Sequence, residues 1–387
     1  MVEKNIEIPL TDTPINKICD VVIVGAGPVG LATAVGLRKR GIDNILVVDQ
    51  ARAFRQIGQG VDLLPNGLRA LKYVDPNAYE AVKKASLNFV NPQQSDEEKI
   101  TKFVESEPSE ALLEWVFKNF QGQKIRSISL SFDVWFKNYG EGRVSISWYD
   151  LQTTLRQQIP KNQVKPNHRC INVVDEPENG CVRLNCVFDA SVEANPYAYW
   201  PDRQKNNDAQ SQSSEIDSQP SSTKSFRAKL VVAADGINST VRRILYANSH
   251  NQAFAKPEYS GFAAIYCREI PYIPSELRAH IEEKFFSSSP VVTVTNYELS
   301  NSHAFSECPR MMLVNRQSTG CLVHVPVPLH SVQGKFGSDL LNLAVQELEK
   351  AGFPNALKEL VQLSPPENVL QRPYYIHRAL TSCTRLH

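Results

Sequence analysis

The sequence has no long hydrophobic run. Nowhere in its 387 residues do apolar positions follow one another for the roughly eighteen that a membrane-spanning helix needs. Its first residues, MVEKNIEIPLTDTPINK, lack the apolar core and small-residue cleavage site of a secretory leader. The expectation is a soluble, cytoplasmic protein. Charge of one sign is also missing: Lys+Arg 42 stands against Asp+Glu 41, a net of +1. That balance excludes the basic footprint of a nucleic-acid or anionic-membrane binder. The eight cysteines form no CxxC pair, and their scatter through apolar surroundings reads as reduced core thiols. The eight histidines form no HxH or HExxH, so no metal site is expected. Ser239 lies in no GxSxG elbow and reads as a helix cap, not a nucleophile. No internal repeat is found.

What is there is concentrated in residues 19–49, CDVVIVGAGPVGLATAVGLRKRGIDNILVVD. Val21 to Val24 is an unbroken apolar run, the signature of a strand buried on both faces of a parallel sheet. It stops at Gly25-Ala26-Gly27-Pro28-Val29-Gly30, after which Leu31, Ala34, Val35 and Leu37 keep a helical rhythm that Gly41 ends. A second apolar run, Ile45 to Val48, ends at Asp49. This βαβ unit predicts a dinucleotide site. Gly25 makes the tight turn, Gly27 admits the backbone to a pyrophosphate, and Gly30 lets the helix pack on the strand. The helix N-terminus offers free N–H groups to the phosphates, and Asp49 can accept from the adenosine ribose.

Further along, Asn66 is placed to cap a helix carrying Leu68, Leu71 and Val74. Residues 75–122 read as mostly helical, with an apolar face at Leu112, Leu113, Trp115, Val116 and Phe120. A strand pair is expected at 124–132 and 143–147, then a helix from Trp148 to Ile159 ended by Pro160. Alternation over 164–188 around Glu178-Asn179-Gly180 predicts two strands and a turn. Residues 202–225 are polar and low in complexity, an expected disordered insert between strands. Gly261 to Ile270, Val291 to Tyr297, Arg310 to Asn315 and Cys321 to Val327 read as strands of a mixed sheet, followed by helices at about 335–352 and 354–362. Phe285-Phe286 and Met311-Met312 read as core packing more than cavity lining. Tyr266, Tyr297 and His324 fall on the expected substrate sheet, where one could orient a phenolic or polar group, although packing is the commoner role.

A second motif, LVVAADGINSTVR at 230–242, delivers Asp235-Gly236 to a turn after a buried strand, with Asn238 or Ser239 to cap the next helix. Paired with the glycine turn some two hundred residues earlier, it resembles the flavin-dependent aromatic monooxygenases of the p-hydroxybenzoate and salicylate hydroxylase kind. The stretches GQGVDLLPNGLRAL (58–71) and SISWYDLQTTL (145–155), and the run from Arg310 to Pro328, are similar to that family too.

The resemblance implies an α/β fold, a Rossmann-like, GR2-type FAD-binding domain interleaved with a mixed β-sheet substrate domain. The FAD-binding segments would be 19–75 and 145–250, and the substrate-domain and helical segments 76–144 and 255–365. It implies FAD held by Gly25, Ala26, Gly27, Pro28, Gly30 and Asp49, with Arg55 and Gly60 on the flavin side. Asp235 and Gly236 would touch FAD and NAD(P)H, and Arg242 would brace their turn. The reaction would use NAD(P)H and dioxygen to hydroxylate or epoxidise a small aromatic or isoprenoid-like substrate. Two departures stand out. Trp148 occupies the place of an arginine that contacts the flavin in the family. The chain also stops before the family's Gly-Asp segment, so residues 366–387 would be the start of a missing FAD-domain return, and activity alone would be poor or absent. A non-catalytic dinucleotide-binding remnant or subunit of a split flavoprotein therefore stays open, as does an NAD(P)-dependent dehydrogenase. A flavin halogenase is disfavoured, because no WxWxIP stretch occurs.

Overall fold

The computed structural model describes residues 18–53, 60–90, 114–189, 222–247, 252–287, 289–296, 308–315 and 319–377. The chain divides into two compact units, one of residues 1–105 with 136–256 and the other of 106–135 with 257–387.

Unit 1 is built on a six-stranded sheet in the order β7-β2-β1-β10-β9-β8. Its strands are β1 (Cys19–Val24), β2 (Ile45–Val48), β7 (Val164–Lys165), β8 (Arg169–Glu176), β9 (Cys181–Phe188) and β10 (Ser222–Ala233). β1 runs parallel to both neighbours, pairing Val22 with Leu46 and with Val231. Flanked on both edges and covered on both faces, it needs no polar alternation. Val22 and Ile23 are fully buried. β8, β9 and β10 form an antiparallel meander, with Gly180 left-handed (φ 59°) in the β8–β9 turn. Helices α1 (Pro28–Lys39), α2 (Pro65–Val74) and α3 (Pro76–Val90) belong to this unit, α3 packs on α2, and α4 (Phe132–Tyr139) comes later in the chain. A two-stranded sheet pairs β3 (Gly60–Leu63) with β6 (Val144–Ser147).

Unit 2 carries a seven-stranded sheet in the order β15-β11-β14-β13-β12-β4-β5. It comprises β4 (Glu114–Lys118), β5 (Lys124–Ser129), β11 (Glu258–Cys267), β12 (Val291–Thr295), β13 (Arg310–Asn315), β14 (Thr319–Pro326) and β15 (Val369–Ile376). One face packs on helices. Ile265, Val294, Met311, Leu313 and Val323 share a core with Leu340, Ala344, Leu357 and Leu360. Phe285 and Phe286 are buried in that core, as packing residues.

Local expectations are corrected at several points. The segment read as helical at its C-terminal end is strand β4, with Trp115 and Val116 on it, because pairing with β12 and β5 outweighs a helix-like spacing. Leu112 and Leu113 lie outside the described residues. The segments 124–132 and 143–147 both hold strands, but β5 pairs with β4 and β6 with β3. Asn66 does not cap α2: the helix starts at Pro65 after Leu64, the first-turn position proline favours. Of the expected insert, 202–221 lies outside the described residues, and 222–225 opens β10. Residues 76–90 and 136–144 fall in unit 1, and β15, from the stretch read as a returning segment, pairs with β11 in unit 2.

Candidate functional site

The two motifs meet at the carboxyl ends of β1 and β10, where open α/β sheets bind ligands. Ala234 N donates to Val24 O at 2.8 Å, so the Asp235 turn lies directly beside the glycine turn. The three glycines have different physical reasons. Gly25 has φ 108°, and a Cβ there would sit 2.3 Å from Ala234 O. A Cβ on Gly30 would sit 1.9 Å from Gly25 O and 3.2 Å from Ala234 Cβ. Around Gly27 nothing lies within 4 Å of a would-be Cβ. The first and third glycines are forced by the fold, and the middle one borders open space.

The same turn carries open donors. Gly27 is the N-cap of α1, with Pro28 in the first turn, no side-chain cap and no acidic residue there. Among the described residues, the Gly27, Val29 and Gly30 N–H groups have no acceptor, while Leu31 N donates to Gly27 O at 2.9 Å. Free amides at a helix N-terminus favour an anion. Asp49 ends β2 and reaches across: its Oδ2 accepts from Ala26 N at 2.6 Å and its Oδ1 from Ala51 N at 2.7 Å. Burial raises the pKa of this carboxyl and the two N–H groups lower it. Each oxygen keeps a further lone pair for a sugar hydroxyl.

Asp235 Oδ2 accepts from Thr240 N at 2.7 Å and Val241 N at 3.3 Å, tying the turn to helix α6 (Thr240–Tyr246). Asp235 Oδ1 is buried with no hydrogen-bond partner among the described residues. A buried acceptor left open beside a row of open donors fits a ligand with both hydroxyls and phosphates. Gly236 takes φ 78° with open space around it. Ser239, not Asn238, caps α6, accepting from Arg242 N at 3.0 Å. Arg242 Nη1 donates to Ile237 O at 3.3 Å across the turn.

Gly60 is exposed at the start of β3, opposite Ser147. Ser147 caps helix α5 (Trp148–Gln157), accepting from Asp150 N at 2.9 Å, so half-buried Trp148 stands one residue from Gly60's partner. Arg55 lies outside the described residues. Sequence reasoning missed Gln152, whose Nε2 donates to Ala26 O at 2.7 Å. Nothing in a glutamine on a helix points to that contact.

In unit 2, the sheet face away from the core carries a polar group. Arg310, His324, Ala264 and Arg372 are register partners across β13, β14, β11 and β15. His324 Nε2 lies 2.9 Å from Tyr374 Oη, and Tyr374 is hydrogen-bonded to Tyr266. Burial, then the Arg310 charge, pull the His324 imidazole down to about 4, which keeps it neutral at pH 7. Burial and the bond to Tyr266 push the Tyr374 hydroxyl up, so it stays protonated. Tyr297 lies outside the described residues. Among the described residues no His/Cys/Asp/Glu group could hold a metal ion, and no helix is long and apolar enough to cross a membrane.

Known proteins resemble this chain in both respects. A family profile described as an FAD binding domain matches residues 18–74. The FAD-dependent monooxygenase azaH of Aspergillus niger is 36% identical over 108 residues, 27% of this chain and 24% of that protein. The 6-methylsalicylate 1-monooxygenase atA of Aspergillus terreus is 23% identical over 245 residues, 62% of this chain and 42% of the relative. The matched stretches span only 12% to 24% of the length of the first three curated relatives. Among solved structures, HpxO of Klebsiella pneumoniae, complexed with FAD and uric acid, superposes with TM-score 0.53 at 14% identity, over 92% of this chain and 68% of that one. The p-nitrophenol 4-monooxygenase PnpA of Pseudomonas putida gives TM-score 0.51 at 15% identity, over 93% and 68%.

Proposed function

We propose that this chain is an FAD-dependent monooxygenase that oxygenates a small aromatic substrate at the expense of NAD(P)H and dioxygen, a reading supported by the FAD-binding-domain match at residues 18–74 and by relatives named as FAD-dependent and 6-methylsalicylate monooxygenases. The observation that carries the reading is the paired turn in unit 1. Gly25 and Gly30 are locked by sterics, Gly27 borders open space, and among the described residues the Gly27, Val29 and Gly30 amides and Asp235 Oδ1 have no hydrogen-bond partner. The Gly27, Val29 and Gly30 amides would hold the FAD pyrophosphate, Asp49 the adenosine ribose, and Asp235 a hydroxyl or diphosphate. Pro28 presets the first turn, and Gly60, with Arg55, would lie on the flavin side. FAD supplies the redox chemistry and oxygen activation. The residues of this chain bind and orient.

For the substrate, the Tyr266–Tyr374–His324 group supports a planar phenolic compound, in keeping with a relative named for 6-methylsalicylate. A protonated tyrosine beside a neutral imidazole can both donate to and accept from a phenol hydroxyl. Met312 and Leu322, partners on the neighbouring row, give an apolar surface for a ring.

The test is direct. The chain purified without added flavin, or after FAD addition and desalting, is expected to show the two-band flavin spectrum. With a panel of phenols, NAD(P)H consumption should then rise and the product should gain one oxygen atom by mass. A protein that stays colourless at saturating FAD would overturn the reading.

A further inference from the structure

Ala26 is held from both ends. Asp49 Oδ2 accepts its N–H at 2.6 Å, and Gln152 Nε2 donates to its C=O at 2.7 Å. The first partner comes from the end of β2. The second comes from α5, 126 residues further along the chain. Ala26 itself is fully buried between the two.

We infer that Gln152 is a positioning residue for the dinucleotide pyrophosphate: by anchoring the Ala26 carbonyl it aims the Gly27 N–H at the ligand. This rests on the FAD reading above. Among the described residues every peptide bond is trans, so the Gly27 N–H points opposite to the Ala26 C=O. The carbonyl faces α5, so the amide faces away from that helix; among the described residues it has no acceptor, and a Cβ on the same residue would meet nothing within 4 Å. Turning this peptide changes ψ of Ala26 and φ of Gly27, and Gly27 has no Cβ to resist the change in φ. Without the anchor, the carbonyl oxygen is free to turn outward, where it would repel a phosphate instead of an N–H greeting it.

The anchor is itself fixed. Leu151 and Leu155 bury α5, and the Ser147 cap sets its first turn. Thr153, the next residue, is spent on Tyr149 O of its own helix at 2.8 Å. Gln152 is therefore the side chain of this turn that leaves the helix to meet the glycine loop.

A merely structural glutamine and a positioning one differ in which ligands they affect. ADP needs the glycine turn for its phosphates, whereas adenosine needs only the Asp49 region. Titration calorimetry of the full chain with both ligands, on wild type, Gln152→Leu and the isosteric Gln152→Glu, reads the difference. The expected result is about tenfold weaker ADP binding for each variant, the scale of one lost hydrogen bond with a misaligned neighbour. Adenosine affinity and melting temperature should stay at wild-type values. The Gly27 amide resonance should also move in the variants without ligand, a readout independent of binding. Variants that bind ADP as wild type does, or that lose ADP and adenosine equally along with melting temperature, would sink the positioning role and leave the FAD reading standing. A wild-type chain that binds neither ADP nor FAD would overturn that reading, and this inference with it.

Discussion

The three glycines of one motif should respond differently to the same methyl group. Gly30→Ala places a Cβ 1.9 Å from a backbone oxygen that cannot retreat, and Gly25→Ala adds a left-handed φ to a 2.3 Å clash. Both variants should lose unit 1 or express in inclusion bodies. Gly27→Ala meets nothing within 4 Å, so it should melt with wild type yet bind FAD roughly tenfold more weakly, because its methyl fills the space that the pyrophosphate would enter. Calorimetry and flavin titration on the same samples separate the two outcomes. His324 makes a pH prediction. Its pKa of about 4 lies below the free imidazole value, so between those two pH values the unfolded chain holds a proton that the folded one does not. The stability at stake is present above about pH 6.5 and is lost as pH falls towards 4. Denaturant unfolding of His324→Gln at acid and neutral pH should show a shallower pH slope than wild type. An identical slope would mean that the imidazole titrates normally.

At the scale of elements, caps and strand partners decide what short windows leave open. Ser239 accepts from Arg242 N and is buried, whereas Asn238 is exposed. Ser239→Ala should therefore cost about 1 kcal/mol, seen as a lower melting temperature, and Asn238→Ala should cost nothing measurable. The βαβ unit, the β8–β9 hairpin, strands β11 to β14 and the two late helices were legible because each element announces itself within a dozen residues. β4 was not. Leu112, Trp115, Val116 and Phe120 satisfy a helical spacing, and pairing with β5 and with β12, some 175 residues distant, makes Trp115 and Val116 a strand. Gln152 was equally silent, since its bond to Ala26 depends on how α5 packs beside the glycine turn and on nothing in its neighbours.

Across the whole molecule, the site in unit 1 depends on a return of the chain over more than two hundred residues, from Cys19 to its partner Ala228. Such pairing is slow to form and all-or-none in effect. A fragment of residues 1–189 contains the entire glycine motif, Asp49 and Gln152, yet lacks β10 and the Asp235 turn. It should bind no ADP by calorimetry. Binding at full-chain affinity would show that the second motif is dispensable for the nucleotide.

The carbonyl of Ala234, pressed against Gly25, also governs how this unit could be transplanted. Gly25 is a glycine because of its left-handed φ and its neighbour strand, not because of a phosphate. Moving residues 19–49 alone into another scaffold would carry the lock without its keyway. A graft should succeed only when the 230–240 stretch travels with it, and in a library of variants position 25 should stay glycine even where 234–236 change, because the left-handed φ remains.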